Sequence, residues 1–291
     1  MKNAVSPQMA AVDDDLGARI TEDEFASVRE LVYRHFGISL SDQKRALVVG
    51  RLASVIRTRG FANFSEYLKW IQADKSLQGL SELVDKISTN HTAFFREKAH
   101  FDFLMSTALP EIFSAMKAKN DKDFRLWCAA SSSGEEPYTL QMCLMDYLKD
   151  DYRNWSAGLL ATDISDKVLT MARRGVYPAE RVKDVPPNLL RTYFRDLQNG
   201  EFEVVEAMRK EVLFRRFNLM TEVFPFGKKF HIVFCRNVMI YFDNPTREKL
   251  VQRIYDCMIP GGYFFIGHSE SLGSIKTDFK YVSPAIYRKG A

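Results

Sequence analysis

Residues Phe124–Leu140 read FRLWCAASSSGEEPYTL, and the change of character along this stretch decides the fold. Phe124, Leu126, Trp127 and Cys128 form a short apolar run that predicts a buried strand. Ala129 to Gly134 carry almost no side-chain bulk, so the backbone there can close against a flat ligand. From Glu135 the chain restarts as a helix. In an open α/β sheet the loop after the first strand, at the carboxyl ends of the strands, is where a nucleotide-like ligand sits. A G-x-G-x-x-G fingerprint is missing: Gly134 is the only glycine of the loop, and Glu135 and Glu136 stand where they would repel a pyrophosphate. A dinucleotide is therefore disfavoured. A ligand with ribose hydroxyls and a positive centre suits the acidic turn, and S-adenosylmethionine has both. The bland alternative, left open by this stretch alone, is a helix N-terminus with favourable acidic residues.

The rest of the chain sets the frame for that turn. A chain of 291 residues with 46% apolar content buries a full core and has room for two domains. The four cysteines, Cys128, Cys143, Cys235 and Cys257, form no C-x-x-C pair, which argues against a structural zinc or a disulfide framework and fits a reducing compartment. The five histidines lack metal-ligand spacing, so no metal is expected. No apolar run approaches the roughly 18 residues of a membrane helix, and the start lacks a signal-peptide core; a soluble, cytoplasmic protein is expected, without direct membrane insertion. A net charge of +4 is small for this size, so what matters is where the charge lies.

Residues 1–18 are polar and small, with Asp13, Asp14 and Asp15 in a row, and are expected to be a disordered tail. Residues 19–89 read as a small helical domain. Thr21 with Glu24 makes a capping box before the stripe Phe25, Val28, Leu31 and Val32, and Gly37 stops that helix. A second helix starts near Ser41, a third near Asn63 with Glu66 as capping partner, and a fourth covers about Leu80 to Ser88. From Phe36 to Trp70 there are six basic residues (Lys44, Arg45, Arg51, Arg57, Arg59, Lys69) against two acidic ones (Asp42, Glu66). On the second helix, Val48, Val49, Leu52, Val55 and Ile56 share one face. Lys44, Gly50, Arg51, Ser54, Arg57 and Thr58 share the other, which is flat in the middle and basic at its edges. Such a face receives an acidic partner helix, with Lys44, Arg51 and Arg57 supplying steering; the plain alternative is a solvated basic face.

Residues 90–120 read as a linker and connecting helix. The segment Thr89–Glu97, TNHTAFFRE, offers Asn90 and Thr92 as ligand hydrogen-bonding groups, Phe94 and Phe95 as anchors and Arg96 held beside them; an interdomain turn capped by Thr92 is the alternative. Residues 121–291 then follow an α/β pattern. The apolar strand Trp155–Thr162 ends in Asp163, some thirty residues after the first turn, where an acidic residue accepts both hydrogen bonds of a ribose diol; a solvent-facing helix cap is its alternative. Helices are expected over Ser165–Arg174, Pro186–Phe194 and Thr246–Met258. Glu201–Val205 and Glu211–Phe217 alternate and predict a hairpin, with Asn218 and Leu219 closing its second strand. Phe230–Cys235 predicts a buried strand, with Arg236, Asn237 and Tyr241 just beyond it. Two final strands are expected over Tyr263–Ile266 and Phe279–Tyr287.

Four strings in this order, NHTAFFRE (90–97), SGEEPY (133–138), FCRNVMIYFD (234–243) and GHSES (267–271), follow the helical domain, and the whole from residue 20 onward resembles the bacterial chemotaxis receptor methyltransferase (CheR) family. The resemblance implies a Rossmann-like methyltransferase domain: a mostly parallel sheet whose last strand is antiparallel, with a small inserted β-subdomain, placed here at about 196–217. It implies transfer of the methyl group of S-adenosylmethionine to glutamate carboxylates of chemoreceptor cytoplasmic domains, releasing S-adenosylhomocysteine. It places the cofactor residues at Asn90, Thr92, Arg96, Glu136, Asp163, Asn218, Leu219, Arg236 and Asn237, and puts Tyr241 beside the methyl group. Ser133 stands where the family commonly has threonine and keeps the hydroxyl.

The residues agree with that chemistry. A glutamate carboxylate is already a nucleophile at neutral pH, so no strong base is needed, and positioning alone contributes about 7–11 kcal/mol. Arg96 is the candidate for orienting the incoming carboxylate through a bidentate fork, and Tyr241 guides the methyl or the substrate without acting as base. A nucleic-acid methyltransferase is disfavoured, because the loop after the Phe230 strand reads RNVMIYF without an Asn-Pro-Pro-aromatic string and no aromatic single-strand platform is apparent. A non-catalytic S-adenosylmethionine-binding regulatory module is the remaining alternative. His268, Ser269 and Glu270 are adjacent in sequence and cannot form a triad. A monomer is expected. In some family members the β-subdomain captures a receptor tail peptide as an added strand; the short Asp196–Gly200 connection here predicts that this chain does without one.

Overall fold

The computed structural model describes residues 20–75, 78–88 and 90–290; the tail expected over 1–18 lies outside them. The chain forms two compact units, one from the described residues up to Leu31 together with Leu40–Ile87, the other from Val32–Ser39 and Ser88 onward.

The first unit is helical. Helix α1 (Glu22–Phe36) opens on the capping box: Glu24 N–H donates to Thr21 Oγ1 (3.2 Å) and Thr21 N–H to Glu24 Oε2 (2.9 Å). Helix α2 (Arg45–Arg59) buries Val48, Leu52, Val55 and Ile56 and ends at Gly60, whose left-handed φ of 77° returns its N–H to the last carbonyls. Helix α3 (Phe64–Ala73) starts where the Asn63 side chain accepts from Glu66 N–H, and α4 (Gln78–Ile87) lays Leu80, Leu83, Val84 and Ile87 inward. Each fully buried Val or Leu contributes about 1.5–3 kcal/mol, so the apolar stripe, and not the weak intrinsic helicity of short segments, holds these helices.

The second unit is organised by a seven-stranded sheet in the order β6-β2-β1-β7-β8-β10-β9. Its strands are β1 (Asp123–Ala129), β2 (Ser156–Asp163), β6 (Val212–Arg216), β7 (Phe230–Cys235), β8 (Met258–Phe265), β9 (Lys280–Ser283) and β10 (Ile286–Arg288). The pairs β1–β2, β1–β7, β2–β6 and β7–β8 are parallel, whereas β10 runs antiparallel to both β8 and β9. Strand β7 is buried along its whole length, as expected of a parallel strand covered on both faces. The helices are α5 (Ala99–Phe103), joined through a π turn to α6 (Leu109–Ala118), then α7 (Glu135–Leu148), α8 (Asp166–Arg174), α9 (Ala179–Val182), α10 (Pro187–Tyr193), α11 (Glu206–Arg209) and α12 (Asn244–Asp256). The last turn of α1 also belongs to this unit: Ser39 N–H donates to Tyr241 O (2.8 Å) and Asn218 Nδ2 to His35 O (2.7 Å).

Three expectations are corrected. Glu201–Val205 and Glu211–Phe217 do not form a hairpin, and the insert is not the segment 196–217. The small antiparallel sheet is β3 (Val176–Pro178), β5 (Glu201–Val204) and β4 (Phe194–Asp196), with β5 in the middle. Strand β6 joins the main sheet beside β2, with Val212 and Phe214 buried and Leu213 exposed. Alternation identifies which face of a strand is buried but not which strand it pairs with, and the α11 turn between the two runs redirects the chain. The run Phe279–Tyr287 is likewise two strands, β9 and β10, broken at Ala285, whose φ is 61°.

Candidate functional site

The carboxyl ends of β6, β2, β1 and β7 lie side by side, and the order reverses between β2 and β7 on either side of β1, which makes this edge the crevice where open α/β sheets bind ligands. After β1, Ala130 and Ser132 hold left-handed φ values of 61° and 50°; after β7, Asn237 holds 56°; and in the preceding connector Phe95 and Glu97 hold 52° and 60°. Such conformations cost about 1–3 kcal/mol each in non-glycine residues and collect at functional sites. What over-determines them is a dense polar network.

At the β1 turn, Asp163 is buried, and its two oxygens accept from Ser132 N–H (2.8 Å) and Ser165 N–H (3.0 Å). Asp163 thus fixes the turn from the end of β2. The two turn glutamates diverge. Glu135 is fully buried, ion-paired with Arg181 of α9, and accepts from Ser133 Oγ (2.8 Å); burial pushes its pKa up despite the arginine. Arg181 Nη2 also donates to Ser133 Oγ (3.0 Å), and Tyr177 OH to Ser133 O (2.7 Å), so the small sheet braces the turn. Gly134, with φ of 103°, is required there, because a Cβ would meet Tyr177 Oη at 2.7 Å. Glu136 faces the other way, toward the end of β7.

There Arg236, its side chain wholly buried, donates to Glu136 Oε2 (2.5 Å), Glu97 Oε2 (2.9 Å) and Arg96 O (2.6 Å). Burial disfavours the charge, but Glu136 and Glu97 outweigh it and raise the guanidinium's pKa. Glu97 also accepts from Asn237 Nδ2 (3.3 Å) and His268 N–H (3.1 Å); burial works against its ionised form, yet Arg236 and these donors hold its pKa below the usual value. Glu270 fastens the other side of the loop, accepting from Asn237 N–H (2.9 Å), Gly267 N–H (2.6 Å) and Ile240 N–H (3.2 Å). Its carboxylate is raised in pKa by burial, with those N–H groups opposing. Here the GHSES string acts as a clamp for the loop carrying Asn237 and Tyr241.

The connector closes over the same edge. Ser132 Oγ donates to Asn90 O (3.4 Å), Phe95 N–H to Thr139 Oγ1 (3.2 Å), and Arg96 Nη1 to His91 O (2.7 Å). A cavity of about 430 Å³ opens beside it, lined by residues that include Asn90, Thr92, Arg181 and Lys183. These residues fall into two hydrogen-bonded groups about one sheet edge: Asn90 with Asp163 through Ser132, and Arg96, Glu136 and, through Glu97, Asn237 about Arg236. Asn218 caps its own turn, accepting from Met220 N–H (2.9 Å), and Leu219 is buried next to it. Lys44, Arg51 and Arg57 belong to the helical unit. Arg51 is not an open docking group: its Nη1 donates to Ile87 O (2.7 Å) at the end of α4. Arg57, in the last turn of α2, is exposed, as is Leu47 in its first turn.

Sequence reasoning missed Glu97, Arg181 and the clamp role of Glu270. Glu97 and Glu270 sit inside quoted strings; Arg181 carried no signal. The structure also brings together His100 and His268, which sequence spacing keeps apart. The arrangement fits S-adenosylmethionine by its donor set: a small-residue turn, a buried carboxylate at the end of β2 and an anionic surround for a positive centre.

Comparison with known proteins agrees. Residues 90–287 match the CheR methyltransferase SAM-binding domain and residues 23–88 the CheR methyltransferase all-alpha domain. A chemotaxis protein methyltransferase of Borreliella burgdorferi is 44% identical over 275 residues, covering 94% of this chain and 97% of that one. Chemotaxis protein methyltransferase 2 of Pseudomonas aeruginosa is 36% identical, covering 92% and 93%, and the chemotaxis protein methyltransferase of Escherichia coli 32% identical, covering 92% and 91%. The non-catalytic alternative is set aside, and S-adenosylmethionine is the cofactor. With both domains matched in order along nearly its whole length, the chain belongs to the CheR methyltransferase family.

Proposed function

We propose that this protein esterifies glutamate side chains in the cytoplasmic helices of chemoreceptors, forming the glutamyl methyl esters of chemotactic adaptation. The observation that carries the reading is the position of Arg96: its backbone carbonyl is tied to Arg236, the adjacent Phe95 to Thr139 of α7 and Asn90 of the same connector to the β1 turn, and its guanidinium is only partly buried. A cation at the mouth of the cofactor edge suits an anionic nucleophile. S-adenosylmethionine, when bound, supplies an electrophilic methyl group, and the carboxylate needs no proton removed at neutral pH. The work left to the chain is holding and excluding water: Asp163 and the β1 turn grip, Arg96 orients, Tyr241 guides, and the Arg236–Glu97–Glu270 network keeps their loops fixed. The helical unit docks the receptor through the exposed face of α2 around Lys44 and Arg57, in the cytoplasm; among the described residues no helix is long and apolar enough to cross a membrane.

The test is incubation with methyl-labelled S-adenosylmethionine and receptor cytoplasmic domains. Label released by mild base as methanol, and lost when the accepting glutamates are changed to alanine, supports the ester. Base-stable label would refute it.

A further inference from the structure

One cluster in the larger unit is not absorbed by the cofactor edge. His100, at the start of α5, is fully buried, yet neither ring nitrogen has a hydrogen-bond partner. Its Nδ1 lies 3.5 Å from Glu97 Oε2. The ring of His268, which is exposed, stands 4.5 Å away centroid to centroid at an interplanar angle of 76°. One ligand atom from each of the three lies within 4.8 Å of the others. A buried polar group left unsatisfied costs about 1–3 kcal/mol, and one that persists calls for an explanation such as an ion.

Zinc accounts for this arrangement. Bonds of about 2.0–2.2 Å in tetrahedral geometry place ligand atoms about 3.3–3.6 Å apart. The Glu97–His100 separation already falls there, and rotation of the exposed His268 side chain closes the rest. Two imidazoles and one carboxylate with a solvent-facing fourth position form a common zinc donor set. Arg236 is the cation beside it, but Glu97 and Glu136 together outweigh its charge. We propose that Glu97, His100 and His268 bind a divalent zinc ion. The ion would share Glu97 Oε2 with Arg236, so zinc and S-adenosylmethionine oppose each other; this second step rests on the proposed role of Arg236 in holding the cofactor edge.

The experiment is calorimetric titration of ZnCl2 into the full-length, untagged, chelator-treated protein, with cobalt substitution read by visible absorption. The expected result is one ion per chain, bound more tightly than about 100 µM, with the intense visible bands of tetrahedral cobalt. His268→Ala, a surface change, is expected to weaken binding by at least about tenfold and to abolish those bands, as is Glu97→Gln. Binding weaker than that limit, or equal binding by wild type and His268→Ala, overturns the site. Unchanged S-adenosylmethionine affinity in the zinc-loaded protein overturns the opposition and leaves the zinc site itself standing.

Discussion

Replacing Arg236 with methionine tests the network at its centre. The guanidinium is fully buried and bridges two carboxylates and a backbone carbonyl at 2.5–2.9 Å. Methionine fills most of the volume, so the loss is electrostatic: Glu97 and Glu136, each with only 14% of its side chain exposed, are left facing each other without a cation. Breaking a buried pair from one side costs about 3–5 kcal/mol. For a unit of this size about 2–4 °C is lost per kcal/mol, so the melting transition should fall by about 6–20 °C. Calorimetry resolves the larger unit's transition. Adding Glu136→Gln should recover about 0.5–3 kcal/mol as coupling, since it removes one stranded charge. The pH dependence has a definite sign. Glu97's folded pKa is depressed from 4.5, so its contribution is full above 4.5 and is lost as pH falls through the lower folded value. The wild-type advantage should therefore shrink toward acid. A melting loss under about 2 °C, with no coupling to Glu136, would refute the reasoning.

Asp163→Ala should weaken S-adenosylmethionine binding by about 1.5–3 kcal/mol, or about 10- to 150-fold, read by calorimetry at a temperature where the variant is folded; unchanged affinity removes Asp163 from the site. Arg96→Ala should lose far more turnover than cofactor affinity, and equal losses would make it a cofactor residue only. Lys44→Glu with Arg57→Glu should raise the receptor KM and leave cofactor affinity intact, whereas Arg51→Glu should lower the melting temperature first, because Arg51 closes the end of α4. Normal receptor kinetics in the double variant would return α2 to a solvated face. Tail peptides from the receptors should not bind at micromolar concentration; if one does, an added strand must pair with β3 or β4, the edges of the small sheet, and not with β5.

What the sequence revealed follows from the range of the interactions involved. The capping box at Thr21, the cap at Asn63 and the apolar runs of β1 and β7 are local, and local rules read them. Asp163 was legible because a strand end and a loop spacing place it. Strand partners were not: β5 and β6 carry the same alternation, and only the α11 turn sends one to the small sheet and the other to β2. Arg51 shows the same limit on a helix, where its charge was visible and its engagement with Ile87 O, on a different helix, was not.

The site's polar residues show a further division of labour. The pair Glu135–Glu136 looks uniform in sequence, and an acidic helix start accounts for both. In the fold they are tied to different bodies: Glu135 to Arg181 beside the small sheet, Glu136 to Arg236 at the end of β7. Between them lies the turn held by Asp163. Two adjacent residues pulling on separate elements define the turn's position more tightly than either would alone, because a shift that relaxes one pair stretches the other. The left-handed conformations at Ala130 and Ser132 can then persist without glycine. The turn is preorganised by ionic contacts on both flanks, and a preorganised turn does not have to be ordered when cofactor binds. The acidic pair is therefore the turn's anchorage, one carboxylate on each flank of the segment that Asp163 holds.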